Sequence, residues 1–302
     1  MIRTFRDIIN YFSRSNSKFN RVTLGVKSPT FIRWRITDFI LVLLLVLAFF
    51  ITPNIKPFHR QFYLNDITIQ HPFKERETVN VFELFIYSTV IPLAITFGIC
   101  FILTTPKHKI YNTYIATMGL FLSVLITSLF TDILKNWIGR LRPDFLSRCE
   151  PAKDTPKDKL VSIEVCTTTN LERLEDGFRT TPSGHSSISF AGLFFLTLFL
   201  LGQFQAINTK TSSTRTILCF IPFLVACWIA LSRTEDYRHH FVDVLIGSCI
   251  GLIISTWQYF RLLPWIGHKE SFHNLIIVEE ENDEYKDDEN SYTRIADNVS
   301  NV

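Results

Sequence analysis

The chain has 302 residues, with 31 Lys+Arg against 28 Asp+Glu and a formal net charge of +3. That balance is too weak for a nucleic-acid-binding protein, whose footprint is a strong basic excess. Six cysteines are too sparse for a disulfide scaffold. Hydrophobic residues make up 47% and gather in long runs, which excludes a disordered chain and an ordinary cytosolic enzyme.

Residues 1–33 read as a basic arm. Across the first 35 residues, Arg3, Arg6, Arg14, Lys18, Arg21, Lys27, Arg33 and Arg35 are opposed only by Asp7, and such an excess marks the cytoplasmic side of a membrane. Ile2, Phe5, Ile8, Ile9 and Phe12 recur at helical spacing opposite Arg3, Arg6 and Arg14. This fits a short helix on an anionic leaflet, with a solvated basic arm as the equal alternative. No cleavable signal is visible, because the apolar run begins after residue 35 and is too long for a signal core.

A membrane helix needs about 20 mostly apolar residues. Six segments qualify: Trp34–Pro53, Val81–Thr104, Tyr111–Leu134, Ser186–Phe204, Ile217–Leu231 and Val244–Phe260. The fifth is short and holds Pro222, which is tolerated where neighbouring helices re-satisfy the freed carbonyl. Without it the motifs described next would fall on opposite faces. The predicted fold class is therefore an all-α integral membrane protein, a bundle of six transmembrane helices over residues 34–266. An even count returns the C-terminus to the cytoplasm. There residues 267–302 read as a disordered acidic tail, because like charges repel. The outward loops are 53–80, Lys135–His185 and Ser232–Asp243. The second holds nine Lys/Arg against eight in the first 35 residues, so either the topology is inverted or those cations have another use; charge in the first flank usually dominates orientation. Asp38 and Glu83 lie near span ends and read as solvated there. Gly247 and Gly251 have the spacing of a close helix-packing face.

Three motifs sit where helices meet the non-cytoplasmic surface. Lys135, Arg142 and Pro143 end the third span. Pro182-Ser183-Gly184-His185 opens the fourth. Ser232, Arg233, His239 and Asp243 lead into the sixth. Their chemistry points to phosphate. Lys135, Arg142 and Arg233 can neutralise a doubly charged group, with arginine offering a fork that matches its oxygens. Ser183 is a candidate N-cap, and Gly184 lets free backbone N–H groups approach an anion. His185 and His239 remain for proton transfer or attack. His239 and Asp243 are spaced i, i+4, so a helix through both would let the carboxylate fix the imidazole tautomer. His240 would then point elsewhere. Each piece alone is a snorkelling cation, a helix cap or a structural pair; their order at matching helix ends favours one site. No His/Cys or carboxylate spacing suggests a metal site.

This pattern resembles the type 2 phosphatidic acid phosphatase superfamily, which also includes bacterial acid phosphatases and vanadate haloperoxidases. Longer strings resemble its fungal vacuolar diacylglycerol pyrophosphate phosphatases: Arg60–Thr68 as RQFYLNDIT, Lys135–Cys149 as KNWIGRLRPDFLSRC, and Asp176–Ser187 as DGFRTTPSGHSS. The resemblance covers most of residues 30–260. It implies a phosphohistidine on His239, orientation by Asp243, and a proton donor and water activator in His185. Lys135, Arg142, Arg233, Ser183 and Gly184 would hold the phosphoryl oxygens. It implies phospholipid phosphates as partners in the bilayer, diacylglycerol pyrophosphate and phosphatidate first. Isoprenoid or sphingoid phosphates are the alternative. It further implies a vacuolar membrane location and magnesium-independent chemistry with no cofactor. From a different class, a lipid-binding or transport protein would place charges at mid-membrane, where this chain has few.

Cys149 and Cys166 are the cysteines outside the spans, both in the second outward loop. In an oxidising lumen they would close a loop worth roughly 3 kcal/mol by chain entropy. Cys100, Cys219, Cys227 and Cys249 fall inside spans and read as small packing residues. Asn298 starts the one glycosylation sequon, which a cytoplasmic tail would leave unmodified.

Overall fold

A computed structural model describes residues 34–278. The predicted surface helix of the basic arm, the acidic run and the Asn298 sequon lie outside them. Among the described residues, five helices are long and apolar enough to cross a membrane. They are α2 (Val81–Leu103), α3 (Lys109–Ile138), α6 (Gly184–Gln203), the pair α7 (Ser213–Cys219) and α8 (Ile221–Glu235), and α9 (Phe241–Leu262). A shorter apolar helix, α1 (Ile36–Ile51), precedes them. Its 16 residues span about 24 Å at 1.5 Å per residue, less than the ~30 Å hydrocarbon core. A 3₁₀ turn at Thr52–Asn54 continues it. Among the described residues β structure is limited to two isolated bridges, Phe62 with Val161 and Pro151 with Cys166.

Helix α6 is the axis of the bundle, packed against α9, α8 and α3, while α1 and α2 lie against α3. Glycine makes the closest approach possible. A Cβ on Gly247 would overlap the Ser183 carbonyl, and one on Gly251 the Ser187 carbonyl. The small-residue face of α9 therefore seats it on the start of α6. Leu43, Leu44, Phe50, Phe82, Ile102, Leu218, Leu245 and Ile253 stay exposed on the outside of the bundle, as an apolar solvent requires.

Pro222 marks a break rather than a strained interior. The helix is interrupted at Phe220, and Pro222 occupies the first turn of α8, where its missing N–H costs nothing. Asp38 is buried instead of solvated, bound by both guanidinium nitrogens of Arg261 at 3.2 and 2.9 Å and flanked by Arg35 at 3.7 Å. A carboxylate at that depth persists because α9 brings its counter-charge. Glu83 closes a capping box with Asn80 at the start of α2.

The boundary drawn at residue 266 falls too early. Ile276 and Ile277 pack into the main core beside Tyr111, Ile115 and Ala116. Asn274 donates from its backbone and its side chain to Asn112 Oδ1, both at 3.1 Å. The stretch Ser271–Val278 ends in a short apolar run anchored by Asn274, so it buries; the acidic run begins only after it.

Above one end of the bundle the loops form a small cap. Phe62, Ile69, Leu141, Phe145, Cys149, Val161, Leu174 and Phe178 make its core, with α4 (Phe145–Cys149) and α5 (Leu171–Asp176). Cys149 and Cys166 are joined as a disulfide there, with Cα atoms 4.6 Å apart.

Candidate active site

Lys135 lies in the last turn of α3, which runs one turn beyond the predicted end of the third span. Gly139 then stops the helix at φ 59°, and its Cβ-free face lies on the Phe58 carbonyl. Lys135 Nζ comes so close to Gly184 that a Cβ there would sit 2.8 Å from it. Ser183 caps α6 by accepting from the Ser186 N–H at 3.4 Å, and its own N–H donates to the Asp243 carbonyl at 3.0 Å. His185 stands in the first turn of α6, Arg233 in the last turn of α8 and Asp243 in the first turn of α9. All three motifs thus meet at one end of the bundle, under the cap.

The cations are buried and oriented. Arg142 donates from Nε to the Asp176 carbonyl at 2.9 Å and from Nη2 to Asp176 Oδ1 at 2.6 Å. Burial alone would raise the Asp176 carboxyl, but Arg142, Arg148 and Lys135 outweigh it and hold it at about 2. Arg233, 1% exposed, donates from Nη2 to Asp236 Oδ2 at 2.7 Å and from Nη1 to Glu77 Oε2 at 2.8 Å.

The expected His239–Asp243 pair is absent among the described residues. Helix α9 begins only at Phe241, so His239 precedes it and the i, i+4 geometry does not apply. His239 Nδ1 instead faces the Thr180 carbonyl at 2.7 Å and Thr180 Oγ1 at 3.3 Å. A carbonyl only accepts, so Nδ1 carries the hydrogen and Nε2 keeps a free lone pair. Asp243 stands one step behind. It accepts from Thr180 Oγ1 at 2.8 Å, Thr181 Oγ1 at 2.5 Å and Arg140 Nη1 at 3.0 Å. His240 is its direct histidine partner, capping α9 and bonding Asp243 Oδ2 through N at 2.9 Å and Nδ1 at 3.1 Å. Burial pushes the His239 imidazole well below the ordinary histidine range, and Arg142, Lys135 and His185 push the same way. A neutral ring with a free Nε2 is the state a nucleophile needs.

Across the pocket, His185 Nε2 meets the Val79 carbonyl at 3.1 Å and Glu77 Oε2 at 3.9 Å. Both belong to the loop before α2. That loop is further tied to the site by Asp236, which takes Lys74 Nζ at 2.5 Å, the Thr78 N–H at 2.8 Å and Thr78 Oγ1 at 2.7 Å.

Comparison with known proteins gives the family. The PAP2 superfamily profile matches residues 116–264, which contain all three motifs. Diacylglycerol pyrophosphate phosphatase 1 of Saccharomyces cerevisiae is 47% identical over 260 residues, covering 85% of this chain and 90% of that one. The chain belongs to the PAP2 superfamily. Within it, the probable diacylglycerol pyrophosphate phosphatase 1 of Schizosaccharomyces pombe is 38% identical, covering 83% of this chain and 89% of its own. Lipid phosphate phosphatase 2 of Arabidopsis thaliana is 33% identical, covering 80% and 82%. No solved structure matches significantly.

Several residues of this PAP2 site escaped the sequence reading. Thr180 and Thr181 stand directly before Pro182 in the string already singled out, so adjacency was their only signal. Glu77, Lys74 and Asp236 come from loops whose approach to the pocket depends on the fold.

Proposed function

We propose that this protein is an integral membrane lipid phosphate phosphatase, hydrolysing diacylglycerol pyrophosphate to phosphatidate and phosphatidate to diacylglycerol. The observation that carries it is a neutral, lone-pair-bearing His239 in one pocket with Lys135, Arg142, Arg233 and His185. His239 Nε2 attacks phosphorus while the bond to the leaving oxygen breaks. His185 gives that oxygen a proton, then takes one from the water that releases phosphate and restores His239. Thr180 holds the Nδ1 hydrogen throughout, and Asp243 holds Thr180. Lys135, Arg142, Arg233 and the N–H groups at Ser183 and Gly184 carry the charge on the phosphoryl oxygens. These cations take the part a divalent ion plays elsewhere, so the reaction needs no magnesium.

The names of the relatives and their extensive overlap with this chain support the substrate class. So does a cavity of about 310 Å³ below the pocket, lined by Val46, Phe50, Leu84, Phe121, Val124 and Ile188. Ile188 lies one helical turn along α6 from His185, so an acyl chain there hangs from a headgroup in the pocket. In this reading α1 with its 3₁₀ extension is the sixth span. The termini are cytoplasmic, and the site faces the lumen, that of the vacuole by the resemblance to the fungal vacuolar phosphatases.

Phosphate release from the two phospholipids in detergent with EDTA tests the proposal. Wild-type release with loss in His239→Ala supports it. No release from wild type, or full activity in His239→Ala, defeats it. Equal or faster release from isoprenoid or sphingoid phosphates would move the assignment within the class.

A further inference from the structure

Glu77 is a charged residue of the pocket for which the mechanism above has no use. Its carboxylate lies on the side of Arg233 that faces His185: Oε2 accepts from Arg233 Nη1 at 2.8 Å and is 3.9 Å from His185 Nε2. The other oxygen is 3.3 Å from Arg238 Nη2. Arg233 is thus flanked by two carboxylates that differ in mobility. Asp236 has a side chain 0% exposed and is bound by Lys74, the Thr78 N–H and the Thr78 hydroxyl, so it is part of the wall. The Glu77 side chain is 24% exposed, comes from a loop, and is held by the two arginines alone among the described residues.

An arginine that grips a phosphate must offer it N–H groups. Nη2 and Nε of Arg233 are engaged by Asp236 and Ser232. Nη1 is what remains, and Glu77 takes one of its two N–H groups. Two anions on one nitrogen repel, so an arriving phosphoryl group weakens the Glu77 contact. Oε1 keeps its contact with Arg238, and the next group near Oε2 is His185, whose Nε2 already faces the Val79 carbonyl two residues along the same loop. The other charged or titratable groups around His185 are Arg233 from α8, Lys135 from α3, Arg142 from the loop after α3, and His239 from the loop before α9. The cations among them oppose a proton on the ring, whereas a carboxylate favours it.

We infer that Glu77 is an internal substrate mimic and positioning residue: it occupies the phosphate edge of Arg233 until phosphate binds and then passes to His185. It competes with inorganic phosphate, and so aids product release, while supporting the proton donor during turnover. The inference rests on the reading of Arg233 as a phosphate ligand.

The test measures inhibition by inorganic phosphate and turnover of phosphatidate in detergent micelles, for wild type and for Glu77→Gln, Glu77→Asp and Arg233→Ala. Glu77→Gln keeps size and polarity, so it tightens phosphate inhibition about fivefold while lowering kcat about tenfold. Glu77→Asp retains the charge and lies between the two. A merely structural role would weaken phosphate binding as turnover falls, and unchanged or weaker inhibition in Glu77→Gln overturns the inference. Arg233→Ala separates the two layers. If it leaves phosphate inhibition as in wild type, the Arg233 assignment fails; if it weakens inhibition and Glu77→Gln does not tighten it, only the Glu77 role fails.

Discussion

His239 and His185 look into the same cationic pocket from walls built in different ways. The His239 wall is a threonine pair backed by a carboxylate: Thr180 takes the Nδ1 hydrogen, and Asp243 fixes Thr180 and Thr181 from behind. The His185 wall is a loop that presents a carbonyl and a movable carboxylate, Val79 and Glu77. The first arrangement keeps negative charge one residue away from the ring, and burial first, then the neighbouring cations, push that ring's pKa down. The second brings negative charge within reach of the ring. Two histidines thus acquire a nucleophile's and an acid's surroundings from what stands behind them, much as paired carboxylates diverge in other hydrolases.

Replacing each histidine is the strongest way to break that comparison. His239→Ala should lose at least about 10⁴-fold in kcat, and His185→Ala about 10³-fold. An aryl phosphate with a good leaving group needs little protonation. It should therefore rescue the first step of His185→Ala and leave His239→Ala inactive. Equal rescue of both in a stopped-flow burst assay would erase the distinction.

The link from Asp243 to His239 is the next target. Since Asp243 acts through Thr180, Asp243→Asn and Thr180→Val should each cost about 10²-fold in kcat, and the double variant little more than either. Multiplying losses in the double-mutant cycle would mean that Asp243 acts on His239 by another route.

A smaller effect is expected in pH dependence. The folded His239 pKa lies below its unfolded value of about 6.5. Above that pH both states are neutral and nothing is lost. As pH falls, the unfolded chain takes up the proton first, so the ring's contribution to stability drains away while the folded nucleophile stays neutral. The acid limb of kcat/KM should therefore lie below about pH 6.5. The Asp176 carboxyl, held at about 2, contributes stability that is complete above its unfolded pKa and is lost as pH falls towards 2. An acid limb assigned to His239 by its loss in a variant, yet lying above 6.5, would contradict this.

The disulfide belongs to the cap rather than to either wall, so it should affect them least. Cys149→Ser with Cys166→Ser opens a loop with a sequence separation of 17, which should destabilise the cap by roughly 3 kcal/mol. Thermal unfolding in detergent should show it, with kcat at low temperature changed by less than about threefold. A large loss of kcat in the still-folded variant would tie the cap directly to catalysis.

The sequence disclosed most of the site because its residues lie in short segments at helix ends. Lys135, Ser183, Gly184, His185, Arg233 and Asp243 follow from local spacing once the helices are placed, and the Gly247–Gly251 face follows from helical periodicity. The failures have physical causes. Counting i, i+4 assumed a helix through His239, whereas α9 starts at Phe241 and gives its first carboxylate to His240. Hydropathy sees apolar runs long enough to span, so it missed how the short Ser271–Val278 stretch buries against Asn112 through Asn274. Glu77 lies more than 100 residues from His185, and an extended loop between two spans has no periodicity to reveal its direction.

The most direct test is to trap the covalent intermediate. Wild-type protein in detergent with EDTA is mixed with phosphatidate labelled in its phosphate, quenched in alkali within milliseconds, and mapped by peptide. The account predicts an acid-labile, alkali-stable phosphohistidine on the peptide containing His239, enriched when the His185→Ala variant slows hydrolysis and absent in His239→Ala. Label on another residue, or wild-type turnover with no phosphoenzyme at any time, would contradict it.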